Sequence, residues 1–291
     1  MKLVIVGGVA GGASAAARAR RLDEGAEIVL LERGPDVSFA NCGLPYYLGG
    51  EITDRDKLLV TPLGRLRTRY KLDARPLSEV TSIDLPAKEV VVRDIGKGTT
   101  YRERFDKLIL SPGAAPRLPG VPGQELPGVH TLRNLQDADR IMARLQGGVR
   151  RAVIMGGGFI GLEMAECLAH RGVAVTLIER NPQVLMALDP EIARPVADEL
   201  AARGIEAFIF DGERPMADPA RALASTTHLL SSVPAEEAGD PVLARVRSRD
   251  SNILAASESC LDNISTSNCA IARPVSCLSP AVLFVSELAD C

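Results

Sequence analysis

The residue best placed for covalent chemistry is Cys42, in the run Val37-Ser38-Phe39-Ala40-Asn41-Cys42-Gly43-Leu44-Pro45-Tyr46-Tyr47. One glycine-rich turn precedes it and another begins at Gly156. A free cysteine is by default a small apolar packing residue. Cys167, mid-helix between Glu163 and Arg171, is read that way. Cys42, set between the two turns, is read as a redox centre. Cys260, Cys269, Cys277 and Cys291 crowd the last stretch with no C-x-x-C pair and no neighbouring histidine, a spacing that gives no zinc site and no metal site is expected. His130 and His228 are read as surface or packing residues.

Both turns sit in strand–turn–helix–strand units. In the first, the apolar run Leu3–Val6 ends in Gly7-Gly8-Val9-Ala10-Gly11-Gly12, a helix-forming stretch follows, and Ile28–Leu31 closes on Glu32, 25 positions after Gly7. In the second, Arg151–Met155 leads into Gly156-Gly157-Gly158-Phe159-Ile160-Gly161, and Val173–Ile178 closes on Glu179, 23 positions after Gly156. Glycine in such a turn lets the backbone approach a pyrophosphate, the helix N-terminus supplies amide donors, and the terminal acid accepts from ribose hydroxyls. The second turn carries all three glycines of G-x-G-x-x-G. The first has Val9 at the middle one.

Between and beyond these units, Asp56–Tyr70 is basic and partly helical, and Glu79–Asp84 and Lys88–Arg93 alternate like strands. Lys88–Arg104 is read as an inserted meander, and Phe105–Leu110 as a strand ending in Ser111-Pro112-Gly113. Pro116–Pro127, dense in proline and glycine, reads as a linker. A helix over Asp189–Arg203 and a strand over Ile205–Phe210 follow, with a further strand at Thr227–Val233. The expected fold class is α/β: two Rossmann-like units with parallel sheets, an inserted β-meander and an irregular C-terminal stretch.

The formal charge of −3 makes no case for nucleic acid or an anionic membrane, and with 3% aromatics and no tryptophan there is little to stack on bases. Met1-Lys2 runs straight into a strand-like segment and no apolar run reaches membrane-span length, so a cytoplasmic protein is expected.

Three motifs carry a resemblance: Ser38-Phe39-Ala40-Asn41-Cys42-Gly43-Leu44-Pro45-Tyr46, Phe105-Asp106-Lys107-Leu108-Ile109-Leu110-Ser111-Pro112-Gly113, and Gly156-Gly157-Gly158-Phe159-Ile160-Gly161-Leu162-Glu163-Met164-Ala165-Glu166. Over roughly residues 1–205 the chain resembles the pyridine nucleotide-disulfide oxidoreductases, most closely their single-cysteine branch of coenzyme A-disulfide reductases and NADH oxidases. Two-cysteine members carry C-x-x-x-x-C, whereas Leu44-Pro45-Tyr46-Tyr47 follows here. A single cysteine implies a mixed disulfide or a sulfenic acid.

The resemblance implies FAD and NADH or NADPH as cofactors. Electrons would pass from NAD(P)H through flavin to Cys42 and on to a disulfide such as coenzyme A disulfide. It implies catalytic roles for Cys42, Asn41 and Ser38. Gly7, Gly11, Gly12, Glu32, Arg33, Ser111 and Gly113 would hold FAD. Gly156, Gly158, Gly161, Glu163 and Glu179 would hold the nicotinamide nucleotide, with Arg180 keeping NADPH open. Arg18, Arg21 and Lys71 would meet the phosphates of coenzyme A, against an even prospect that they are simply solvated. The expected domains are an incomplete FAD-binding domain over 1–115, a linker and start of the second domain over 116–150, an NAD(P)H-binding domain over 151–245 that is atypical after 205, and an irregular tail over 246–291. Members form homodimers through a C-terminal domain, but neither that domain nor the second FAD motif is recognisable here. Gly204–Arg245 instead resembles an atypical short-chain NAD-dependent epimerase. The alternatives are an NADH oxidase or peroxidase cycling Cys42 through sulfenic acid, or a truncated or chimeric nucleotide-binding protein without turnover.

Overall fold

Leu3, Val4 and Ile5 are apolar without alternation because both faces of their sheet are covered. The structure, a computed structural model, describes residues 1–116, 125–209 and 282–286. It divides into one unit of residues 1–47 and 52–115, and another of residues 48–51 and 116–291.

In the first unit, β1 (Lys2–Val6) leads through the glycine turn into α1 (Ala10–Leu22) and β2 (Glu27–Leu31). The connection to β3 (Asp73–Arg75) contains a 3-10 turn at Asn41–Gly43, α2 (Leu44–Gly49), a second 3-10 turn at Arg55–Leu58 and α3 (Leu63–Thr68). β4 (Ser78–Asp84), β5 (Glu89–Asp94) and β6 (Thr99–Arg104) form an antiparallel meander, and β7 (Lys107–Leu110) returns to the first sheet. That sheet is parallel, in the order β3-β2-β1-β7. Successive side chains of a strand point to opposite faces. Leu3, Ile5, Ile28 and Leu30 accordingly pack with Ala16 of α1 and Leu66 of α3, while Val4, Val29 and Leu31 pack with Val90 and Val92 of the meander and with Phe105.

An ion-pair network fastens the meander to the sheet. Glu103 of β6, 8% exposed, accepts from Lys2 Nζ at 2.7 Å and from Arg75 Nη1. Lys2 also reaches Glu27, and Arg75 pairs with Asp73 and lies over the Tyr101 ring. Burial raises the Glu103 carboxyl, but hydrogen bonds from Lys2 and Arg75 outweigh it and hold the group below its ordinary value.

The second unit contains β8 (Val129–Thr131), α4 (Leu135–Gln146), β9 (Arg151–Met155), α5 (Phe159–His170), β10 (Ala174–Glu179), α6 (Pro190–Ala202), β11 (Glu206–Ile209) and β12 (Val282–Ser286). The sheet order is β11-β10-β9-β12-β8. β9, β10 and β11 run parallel, whereas β12 runs antiparallel between β9 and β8. α4 and β12 are among the elements that the sequence reading does not name. α4 forms where it names only a linker and the start of a domain; Asn134 and Asp137 cap it reciprocally, with Ile141 and Met142 on its buried face. β12 lies in the stretch read as an irregular tail, and its partners are remote in sequence. The expected strand at Thr227–Val233 and the epimerase-like segment after residue 209 lie outside the described residues. Among the described residues no helix is long and apolar enough to cross a membrane, and no group of three metal-ligating side chains is brought together.

Candidate active site

Gly7 has φ +94 and donates its N–H to the Leu31 carbonyl at 2.8 Å. A Cβ there would stand 2.0 Å from the Ser111 carbonyl oxygen. At Gly12 a Cβ would stand 1.7 Å from the Gly7 carbonyl oxygen, so α1 closes on the turn only without a side chain. Gly11 lies against the Ser111 hydroxyl, and Ser111 continues the ladder by donating its N–H to Val6 at 2.7 Å. Gly7, Gly11, Gly12 and Ser111 are thus brought together, with Gly113 two residues on. α1 has neither a side-chain cap nor an acid in its first turn, which leaves its amide donors and positive dipole end for an anion. The φ of the middle position does not demand glycine: Val9 has φ −90 and its counterpart Gly158 has φ −79.

Glu32 follows β2 and turns back onto this loop. Its Oε2 accepts the Gly8 N–H at 2.6 Å and its Oε1 the Gly34 N–H at 2.7 Å. Arg33 beside it is exposed.

Ser38 ties the turn to the cysteine segment. Its N–H donates to the Gly8 carbonyl at 2.8 Å, and its own carbonyl accepts from Val60 and Thr61 at 2.8 and 3.3 Å. It is buried and sits at φ +49, a region a non-glycine residue enters at a cost of about 1–2 kcal/mol. Next, Phe39 forms an antiparallel bridge with Leu59, and Ala40 donates to Leu58 at 2.8 Å. The chain is therefore held on both sides up to Ala40. Cys42 then emerges exposed in the Asn41–Gly43 turn, with Asn41 half-buried beside it and α2 starting two residues later.

The second turn follows the same plan. Gly156 has φ +103 and donates to Ile178 at 2.8 Å, and a Cβ at Gly161 would stand 1.9 Å from the Gly156 carbonyl oxygen. Gly158 precedes α5, which has no side-chain cap. Glu179 Oε2 accepts the Gly157 N–H at 2.5 Å. Its Oε1 accepts twice from Asn181, from the backbone N–H at 2.8 Å and from Nδ2 at 2.5 Å. The Gly157 carbonyl accepts the N–H of Leu185, which has φ +52. The frame is repeated: in each unit the second turn glycine gives its N–H to the terminal acid, and takes an N–H from a left-handed residue six positions after that acid. Glu163 is half-buried in α5, and burial, then the neighbouring Glu166, raises its carboxyl.

Arg18 and Arg21 are exposed one turn apart on α1, and Lys71 is exposed at φ +49. Arg20, which the sequence reading passes over, donates from Nε to the Tyr70 carbonyl at 2.8 Å and from Nη2 to the Lys71 carbonyl at 2.9 Å. It thereby fastens the Lys71 backbone to α1. Cys167 is 1% exposed, and burial, followed by Glu51, Glu166 and Glu163, pushes its thiol up to about 12. It is a packing residue. Asn181 is the other residue passed over. The only sequence signal for it is its place two positions after the acid, where the first unit has Gly34.

A sequence profile of the pyridine nucleotide-disulphide oxidoreductase family matches residues 1–209. The chain belongs to that family. Among its relatives, a coenzyme A disulfide reductase of Staphylococcus epidermidis is 38% identical over 206 residues, which are 70% of this chain and 46% of that protein. Among solved structures, reduced Bacillus anthracis CoADR-RHD is 49% identical with a TM-score of 0.70, over 72% of this chain and 38% of that one. An NAD-dependent persulfide reductase from A. fulgidus is 36% identical with a TM-score of 0.68, over 71% and 39%. As a member of the pyridine nucleotide-disulphide oxidoreductases, the chain spans about half the length of the curated relatives it matches. FAD and NAD(P)H are the cofactors that membership implies, and the two turns fit them. Each has a glycine that no Cβ could replace without a clash, an uncapped helix N-terminus and a carboxylate held at its rim.

Proposed function

We propose that the chain is a flavin-dependent NAD(P)H disulfide reductase of the cytoplasm, in which Cys42 is the redox centre and a small disulfide such as coenzyme A disulfide is the acceptor. The observation that carries this reading is the linkage from Gly8 through Ser38 to an exposed Cys42, which puts a thiol at the end of a braced segment anchored on the first turn.

Gly7, Gly11, Gly12, Ser111, Gly113, Glu32 and Arg33 would hold FAD, and Gly156, Gly158, Gly161, Glu163 and Glu179 the nicotinamide nucleotide. Bound FAD supplies the two-electron relay between nicotinamide and sulfur. Cys42, as thiolate, attacks one sulfur of the substrate; the S–S bond breaks, one half leaves as a thiolate that takes a proton from solvent, and a mixed disulfide remains on Cys42. A returning electron pair cleaves that bond, and with a proton releases the second thiol and restores the Cys42 thiolate. One NAD(P)H is thus oxidised per two thiols released. Asn41 and Ser38, with Cys42, would face the flavin and substrate, and Arg18, Arg21 and Lys71 are the cations offered to the substrate's phosphates.

The test is to purify the chain, measure its FAD content, and follow thiol release from coenzyme A disulfide with NADH or NADPH. Cys42→Ser should keep its FAD and release no thiol. Thiol release by that variant overturns the role of Cys42. Consumption of peroxide or oxygen in place of disulfide points to the sulfenic-acid cycle. Absence of FAD and of turnover points to a nucleotide-binding protein alone.

A further inference from the structure

We propose that Asn181 is a positioning residue that sets the preference for NADH over NADPH by locking the Glu179 carboxylate; this rests on reading the second unit as the nicotinamide nucleotide site. A carboxylate offers about four lone-pair sites for hydrogen bonds. Oε1 of Glu179 spends two, on the Asn181 backbone N–H at 2.8 Å and on Nδ2 at 2.5 Å, and Oε2 spends one on the Gly157 N–H at 2.5 Å. The direction left open is on Oε2, the oxygen against the glycine turn, and it accepts a ribose hydroxyl. With three donors the carboxylate cannot rotate away, so a 2′-phosphate arriving at the ribose meets a fixed negative charge. Arg180, exposed next to Glu179, is the cation that such a phosphate would otherwise recruit.

The repeated frame isolates what Asn181 adds. In the first unit Glu32 accepts the equivalent N–H from Gly8, and a backbone N–H from Gly34, which stands two positions after the acid as Asn181 does. Two backbone donors are enough to hold the acid against the turn there. The Asn181 side chain adds a third donor in the second unit alone. Its orientation is dictated by its partner, because only the NH2 end of an amide can face a carboxylate oxygen.

The experiment is equilibrium titration of the full chain with NADH and with NADPH, read by nicotinamide fluorescence, for the wild type, Asn181→Ala, Asn181→Leu and Glu179→Ala. Two variants at position 181 are made so that one soluble protein suffices. The wild type should bind NADH more tightly. Either substitution at 181 should narrow the ratio of the two dissociation constants about tenfold, chiefly by weakening NADH, as expected for the loss of a charge-assisted hydrogen bond. A purely structural role would weaken both nucleotides equally, leaving the ratio unchanged. An unchanged ratio at 181, with the preference erased by Glu179→Ala, overturns the role of Asn181 and leaves the nucleotide site standing. Unchanged NADH binding by Glu179→Ala, or no binding by the wild type, overturns the nucleotide site as well. A wild-type preference for NADPH overturns the proposal.

Discussion

The Ser38 N–H donates to the Gly8 carbonyl at 2.8 Å while the Gly8 N–H donates to Glu32. One residue of the first turn is therefore gripped from both sides, at its N–H by the acid and at its carbonyl by the residue that launches the cysteine segment. Leu185, Gly157 and Glu179 repeat the arrangement in the second unit, where no cysteine follows. The left-handed backbone at Ser38 thus belongs to the nucleotide-turn frame, and the cysteine segment is built onto it.

That origin separates the backbone of Ser38 from its hydroxyl. Ser38→Gly should leave the melting temperature close to that of the parent, within about 1 kcal/mol, because glycine enters φ +49 without strain. Ser38→Val should cost about 1–2 kcal/mol by thermal denaturation. If the hydroxyl takes part in the reaction, Ser38→Gly lowers turnover despite unchanged stability.

Glu32→Ala removes the acceptor of two backbone N–H groups, from Gly8 and Gly34. FAD affinity should fall about tenfold or more, as for loss of hydrogen bonds to a charged group. Flavin release on dilution, followed by absorbance, measures it.

Gly12→Ala places a methyl group 1.7 Å from the Gly7 carbonyl oxygen. α1 must shift, at a cost of about 1–3 kcal/mol, and bound FAD should be lost. Gly161→Ala makes the matching clash, 1.9 Å from the Gly156 carbonyl oxygen. It should instead weaken the nicotinamide nucleotide and spare the flavin.

Thiol labelling should separate the two described cysteines. At pH 8, iodoacetamide should modify exposed Cys42 in the native protein and spare Cys167, which is buried with its thiol pushed up to about 12. Peptide mass spectrometry reads both sites, and Cys167 should react only after denaturation. Equal native labelling contradicts the packing role.

Acid should loosen the meander. The Glu103 carboxyl is lowered from an ordinary value of 4.5. Its contribution to stability is therefore fully present above that value and is lost as the pH falls through the lower folded value. Glu103→Gln should cost about 2 kcal/mol at pH 7, as for loss of a hydrogen bond to a charged group. It should also flatten the fall in melting temperature below pH 4.5.

Sequence by itself determined the two nucleotide units, their turn glycines, their terminal acids Glu32 and Glu179, and the candidacy of Cys42. These features are local. A left-handed turn or a helix closing on its own turn excludes a Cβ whatever surrounds it, and strands of uninterrupted apolar residues announce a sheet covered on both faces. Only the tertiary structure decided that Ser38 links the first turn to the cysteine segment, that Asn181 pins Glu179 with its side chain, and that Arg20 carries Lys71. It alone put β12 between β8 and β9. Each of these depends on a hydrogen bond or strand pairing whose partner is not specified by residue type, and side-chain direction exists only once the backbone has folded.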